Sequence, residues 1–120
     1  MILTTLLVSL APTAAALPQD AAPSRLPRDP RSSPDGDTIA FAWAGDVWTA
    51  PVTGGGATRL TTHGAEDERP RWSPDGETLY FQSNRSGRPQ IWAAQVDRSA
   101  APRQVTFDSV AKRLLHVTAD

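Results

Sequence analysis

His63, Glu66, Asp67 and Glu68 form the densest group of potential ligands and acid–base side chains in the sequence. An imidazole beside carboxylates is the donor set of a divalent cation or of general acid–base catalysis. Either use requires donors that converge from fixed elements, whereas these four lie on one loop between two repeats. They read as a solvated polar loop rather than a metal site. Ser33 and Ser73 would need His63 or His116 beside them to form a serine–histidine–acid constellation, and no Gly-x-Ser-x-Gly elbow occurs. Their recurrence in a turn motif already explains them. Gly54-Gly55-Gly56 lacks the Lys-Ser/Thr of a phosphate-binding loop and reads as a hairpin turn. The expectation for the chain is therefore no catalytic residue, no metal ligand and no cofactor. Among the aromatics, Trp48 and Trp92 occupy equivalent repeat positions and are expected to pack between repeats. Trp43 has Ser83 opposite it and is the better candidate for a channel or rim contact. Asn84-Arg85-Ser86 is formally a glycosylation sequon, relevant only in a eukaryotic secretory host.

The elements that would position these residues follow from an internal repeat. Arg31-Ser32-Ser33-Pro34-Asp35-Gly36 returns 40 residues later as Arg71-Trp72-Ser73-Pro74-Asp75-Gly76. Asp37 to Phe41 lies over Glu77 to Phe81 without a gap. After a four-residue insertion at Asn84 to Gly87, Asp46 to Val52 lies over Gln90 to Val96. Both copies close on Leu60-Thr61 and Val105-Thr106. In the Ser-Pro-Asp-Gly block, Pro presets the turn, Asp bonds back to nearby amides and Gly accepts the left-handed conformation. The next strand alternates: Ile39, Phe41 and Trp43 share one face, and Thr38, Ala40 and Ala42 the other. Leu79 and Phe81 repeat the pattern against Thr78, Tyr80 and Gln82. Glycine and Asp-Arg-Ser turns then divide each repeat into about four short strands, and units of roughly 40 to 45 residues built this way are propeller blades. The expected fold is all-β: a partial β-propeller with two four-stranded blades, residues 31–70 and 71–115, and the start of a third at 116–120. Ser32 stands where Trp72 stands in the second copy, and Ala119 where a proline is expected in the third. A blade cannot bury both faces alone. Residues 31–120 in isolation are thus expected to expose apolar faces and to be at best marginally folded.

Ahead of the repeats, Met1 to Leu10 is an uncharged apolar run followed by Ala14-Ala15-Ala16. It is shorter than the roughly 20 residues that span a bilayer, and its small residues suit a signal peptidase, so residues 1–16 are expected to be a signal peptide. No Lys or Arg precedes the run, a departure from the usual pattern. Residues 17–30, with Pro18, Pro23, Pro27 and Pro30, are expected to be a Pro/Ala-rich linker. Their charged end, from Arg25, alternatively forms an irregular edge strand of the first blade. The net charge of -1 offers no footprint for nucleic acid. With no cysteine in the 120 residues, disulfides, thiolate metal sites and a cysteine nucleophile are excluded within them.

The blocks Ser33-Pro34-Asp35-Gly36, Gly45-Asp46-Val47-Trp48, Thr58 to His63, Pro70 to Gly76 and Ser83-Asn84-Arg85-Ser86-Gly87 resemble the WD40-like propeller repeats shared by TolB-type periplasmic proteins and the amino-terminal region of tricorn-type proteases. The resemblance covers about residues 30 to 120. It implies a parent ring of about six or seven blades, periplasmic or secreted if the apolar start is a working signal and cytoplasmic if it is not. Peptide or protein clients are implied as partners, with no nucleic acid and no membrane after signal removal; the oligomeric state stays open. A tricorn-like secreted serine peptidase is the first parent implied, with no catalytic residue carried onto this stretch. A TolB-like interaction module, or a propeller preceding a prolyl-oligopeptidase-like or amidohydrolase domain, is the alternative.

Overall fold

The computed structural model describes residues 26–115, 117 and 118; residues 1–25, with the expected signal peptide and most of the linker, His116, Ala119 and Asp120 lie outside them. Strands β1 (Arg28–Ser32), β2 (Thr38–Trp43), β3 (Asp46–Pro51) and β4 (Thr58–Arg59) form one antiparallel meander, and β5 (Asp67–Trp72), β6 (Thr78–Ser83), β7 (Gln90–Gln95) and β8 (Arg103–Gln104) form another. These are the two blades. No helix occurs among the described residues.

The turns behave as their residues dictate. Ser33 and Ser73 each donate Oγ–H to the carboxylate two residues on, Asp35 or Asp75, at 2.5 Å. The same carboxylate accepts the amide of Asp37 or Glu77 at 2.9 Å. Gly36 and Gly76 sit at φ of 78° and 75°, the left-handed region the turn requires. The seryl hydroxyl, and next the backbone amide, hold both carboxyls below the ordinary carboxylate range. A carboxyl depressed in the folded state adds stability above its unfolded pKa, about 3.9. That contribution is lost as pH falls below this value toward the lowered folded one. The Ser33→Ala/Ser73→Ala variant is accordingly expected to show a shallower fall in unfolding midpoint than the parent between about pH 5 and pH 2. Denaturant titrations across that range check it.

Strand β3 is tied to the segment leaving its blade by a clasp that recurs in the second. Thr61 Oγ1 accepts the Val47 amide and Thr106 Oγ1 the Ile91 amide, each at 2.9 Å, while Leu60 and Val105 donate to the carbonyls of Val47 and Ile91, each at 2.8 Å.

Packing between the blades sorts the alternating faces. Register places Ala40 and Ala42 beside Thr49 and Val47 on one face of the first sheet, and Leu79 and Phe81 beside Ala94 and Trp92 on the opposite kind of face of the second. Ala40, Val47, Leu79, Phe81 and Ala94 join in one buried cluster, with Leu60, Trp72, Trp92 and Val96 packed against it. The small residues of one blade thus receive the large residues of the next. Strand β5 packs on β1, β2 and β3, whereas β4 and β8 make no comparable contact, so the blades converge toward their first strands and splay outward. Trp72 Nε1 donates to the Arg31 carbonyl at 2.9 Å and the Asp67 amide to the Gly45 carbonyl at 2.8 Å, pinning the inner ends. The equivalent bond beyond the second blade, from the Lys112 amide to the Pro89 carbonyl at 2.6 Å, sets the segment from Lys112 where a third inner strand belongs.

Two boundaries differ from the sequence expectation. Strand β1 begins at Arg28, inside the 17–30 span expected as linker, and follows the edge-strand alternative. A register shift at Asp29-Pro30 accommodates the proline. The cut between residues 70 and 71 falls inside β5, because the repeat motif starts at the end of an inner strand rather than at its beginning.

Candidate functional site

At one end of the blades lie the Ser-Pro-Asp-Gly turns; at the other lie the β2–β3 turn, the segment between β4 and β5, and the β6–β7 turn. The second end carries most of the chemically distinctive residues. The structure separates the four expected as one polar loop. His63 and Glu66 precede β5 and are exposed, and the His63 ring accepts the Ala65 amide through Nδ1 at 3.2 Å. Asp67 and Glu68 belong to β5 itself, which corrects their placement on a flexible loop. Asp67 is fully buried because the β5 amide bond to Gly45 draws it between the sheets. Glu68 accepts Gln82 Nε2 at 2.9 Å. No three His, Asp or Glu side chains converge among the described residues.

The Asp67 carboxylate meets Arg85 Nη2 at 2.6 Å in an ion pair whose side chains are 0 % and 8 % exposed. Arg85 Nε donates to Ser83 Oγ at 3.1 Å, and the guanidinium lies 5.3 Å from the Phe81 ring centroid and 4.8 Å from that of Trp92. The cation is thus sandwiched between an aromatic shelf and a buried carboxylate. Sequence reasoning passed over this cluster. Its signal was present as a joint absence: Pro27 occupies the position of Asp67 in the first copy, and the turn that carries Arg85 is the insertion the first copy lacks.

In the first blade the same shelf is capped differently. Trp43 packs edge-on against Trp48, with centroids 5.3 Å apart and planes at 70°, and Trp48 Nε1 donates to the Trp43 carbonyl at 3.1 Å. An indole therefore replaces the guanidinium where its carboxylate partner is missing. Trp43 is 41 % exposed, and Ile39, Phe41 and Trp48 on the same face are half-buried. Trp92 is packed against the core as expected. Trp48 is not, because among the described residues no blade stands on its face of the first sheet. Ser33 and Ser73 sit in the turns at the other end, without a histidine partner among the described residues, and Gly54 and Gly55 occupy the β3–β4 turn at φ of 95° and 117°.

Along the inner strands, Arg71 is buried. Its Nε donates to the Leu115 carbonyl at 2.6 Å and its Nη1 to the Pro70 carbonyl at 2.8 Å. Burial, and next the neighbouring Arg31 cation, pull this guanidinium below its ordinary value. Asp46 is buried beside the half-exposed Arg59, which reaches it through Nη2 at 2.6 Å.

Residues 24–120 match the tricorn protease N-terminal β-propeller domain. Tricorn protease homolog 1 of Streptomyces coelicolor is 37 % identical over 102 residues, covering 85 % of this chain and 9 % of that protein. Among solved structures, a protein assigned as TolB from Agrobacterium tumefaciens superposes with a TM-score of 0.62 at 32 % identity, over 67 % of this chain and 30 % of that one. TolB from Acinetobacter baumannii does so at 0.60 and 26 %, over 70 % and 22 %. The chain thus spans less than a third of each of these relatives.

Proposed function

Because the chain belongs to the family of tricorn protease N-terminal β-propeller domains, we propose that it is a protein- or peptide-binding propeller segment from the amino-terminal region of an exported, tricorn-like serine peptidase. The observation that carries this reading is the likeness to the Streptomyces protein, which extends over 85 % of this chain. On this reading the blades handle clients and the bond-breaking residues belong to another domain. The buried ion pair and the tryptophan shelf are then supports for the blades, and the expected clients are extended polypeptides.

The TolB-like superpositions favour a second reading, an envelope interaction module without chemistry. Determining the coding sequence downstream of codon 120 separates the two. Further blade repeats leading into a peptidase-like region are expected. A reading frame that ends on closing a single ring supports the second reading, and a nucleophile elbow or a His-x-His motif after the blades supports a different hydrolase. Export is proposed to be directed by residues 1–16. Fusing residues 1–30 to a reporter active only outside the cytoplasm tests it, and an inactive fusion rejects the signal.

A further inference from the structure

An unpaired sheet edge is a template for another strand, so each of these blades has two places at which a polypeptide can add. The outer edges, β4 and β8, are two residues long and offer little to pair with. The inner edges, β1 and β5, are five and six residues long, and a passing polypeptide meets them where the blades converge. The same device recurs on both.

Asp29 and Arg69 stand at equivalent repeat positions and hold φ of 53° and 56°, left-handed backbone that side chains other than glycine rarely adopt. Each is followed by a proline, Pro30 or Pro70, which has no N–H to donate. Neither the left-handed residue nor the proline has a register partner in β2 or β6. The prolyl carbonyls are occupied from within: Arg31 Nη1 donates to Pro30 at 2.9 Å and Arg71 Nη1 to Pro70 at 2.8 Å. The Arg31 carbonyl accepts Trp72 Nε1 at 2.9 Å. An added strand needs a straight row of free N–H and C=O groups at alternate residues. Here a bulge bends the row, a proline removes a donor and a guanidinium fills an acceptor, all within three consecutive residues.

We propose that the inner edges of these blades are closed to β-strand addition, so that an extended polypeptide meeting them finds no main-chain pairing there. The inference concerns edge chemistry and stands whichever domain follows the blades.

The test uses the whole chain and a soluble strand-forming probe, acetyl-Lys-Thr-Val-Thr-Val-Thr-Glu-amide, with carbon-13 in the valine carbonyls and isotope-edited infrared spectroscopy as the readout. The parent chain is expected to leave the labelled carbonyls unpaired, with any dissociation constant weaker than about 1 mM. Pro30→Val combined with Arg31→Met restores a donor and frees an acceptor on the exposed edge of β1. It is expected to bind at least about tenfold tighter and to shift the labelled bands to the strand-paired position. A parent chain that pairs with the probe, or a folded variant that pairs no better than the parent, overturns the proposal. Amide hydrogen exchange in the parent gives an independent arm should the variant fail to fold. Unchanged exchange at Arg28–Ser32 and Asp67–Trp72 with the probe at about 1 mM supports closure, and new protection there refutes it.

Discussion

Phe81→Ala is expected to abolish cooperative folding of the two-blade unit, whereas Phe41→Ala, at the equivalent repeat position, is expected to be tolerated. Phe81 is 0 % exposed and central to the cluster that joins the sheets, so its removal costs the transfer of the ring and leaves a cavity, about 3 to 5 kcal/mol. A small domain has roughly 5 to 15 kcal/mol in all, and one with a bare apolar face stands at the low end. Phe41 points to the face of the first sheet that no sheet covers among the described residues and is only half-buried, so its truncation is expected to cost less than about 1.5 kcal/mol. Urea unfolding followed by tryptophan fluorescence distinguishes them. Equal losses from the two substitutions would mean that the faces are not assigned as the packing describes.

That contrast also marks what was legible in the sequence. The Ser-Pro-Asp-Gly turns, the period-two strands and the Thr61 and Thr106 clasps all rest on local chemistry, and local chemistry is written in local sequence. Burial was not written there, because it depends on what stands next to a blade. Trp48 and Trp92 are one position in the repeat, yet among the described residues only Trp92 has a neighbouring sheet to pack on. The inner strands were hidden for another reason. Three consecutive residues, Arg28-Asp29-Pro30, look like linker by composition, and they become strand only because a bulge takes the proline out of register. Asp67 was misplaced through the same blind spot: a carboxylate in a polar run reads as solvated until its cation, 18 residues away, is seen beside it.

The Asp67–Arg85 pair is where the second large effect is expected. Asp67→Leu removes the one carboxylate, among the described residues, bonded to a guanidinium that is 8 % exposed, leaving a desolvated charge on an aromatic shelf. Breaking a buried pair from one side costs about 3 to 5 kcal/mol, because the remaining ion keeps its desolvation penalty and loses its compensation. Arg85→Met alone strands the opposite charge and is expected to cost a similar amount, although the methionine retains contact with Phe81 and Trp92. The double variant Asp67→Leu/Arg85→Met buries no charge and keeps the volume filled, so it is expected to lie within about 1.5 kcal/mol of the parent. The first blade already accepts an uncharged cap on this shelf, with the Trp43 indole against Trp48. Denaturant unfolding of the four proteins closes the cycle. A coupling energy of about 2 kcal/mol or more is expected; additive losses would show that the two side chains act separately and that the shelf, rather than the pair, holds that end of the blade.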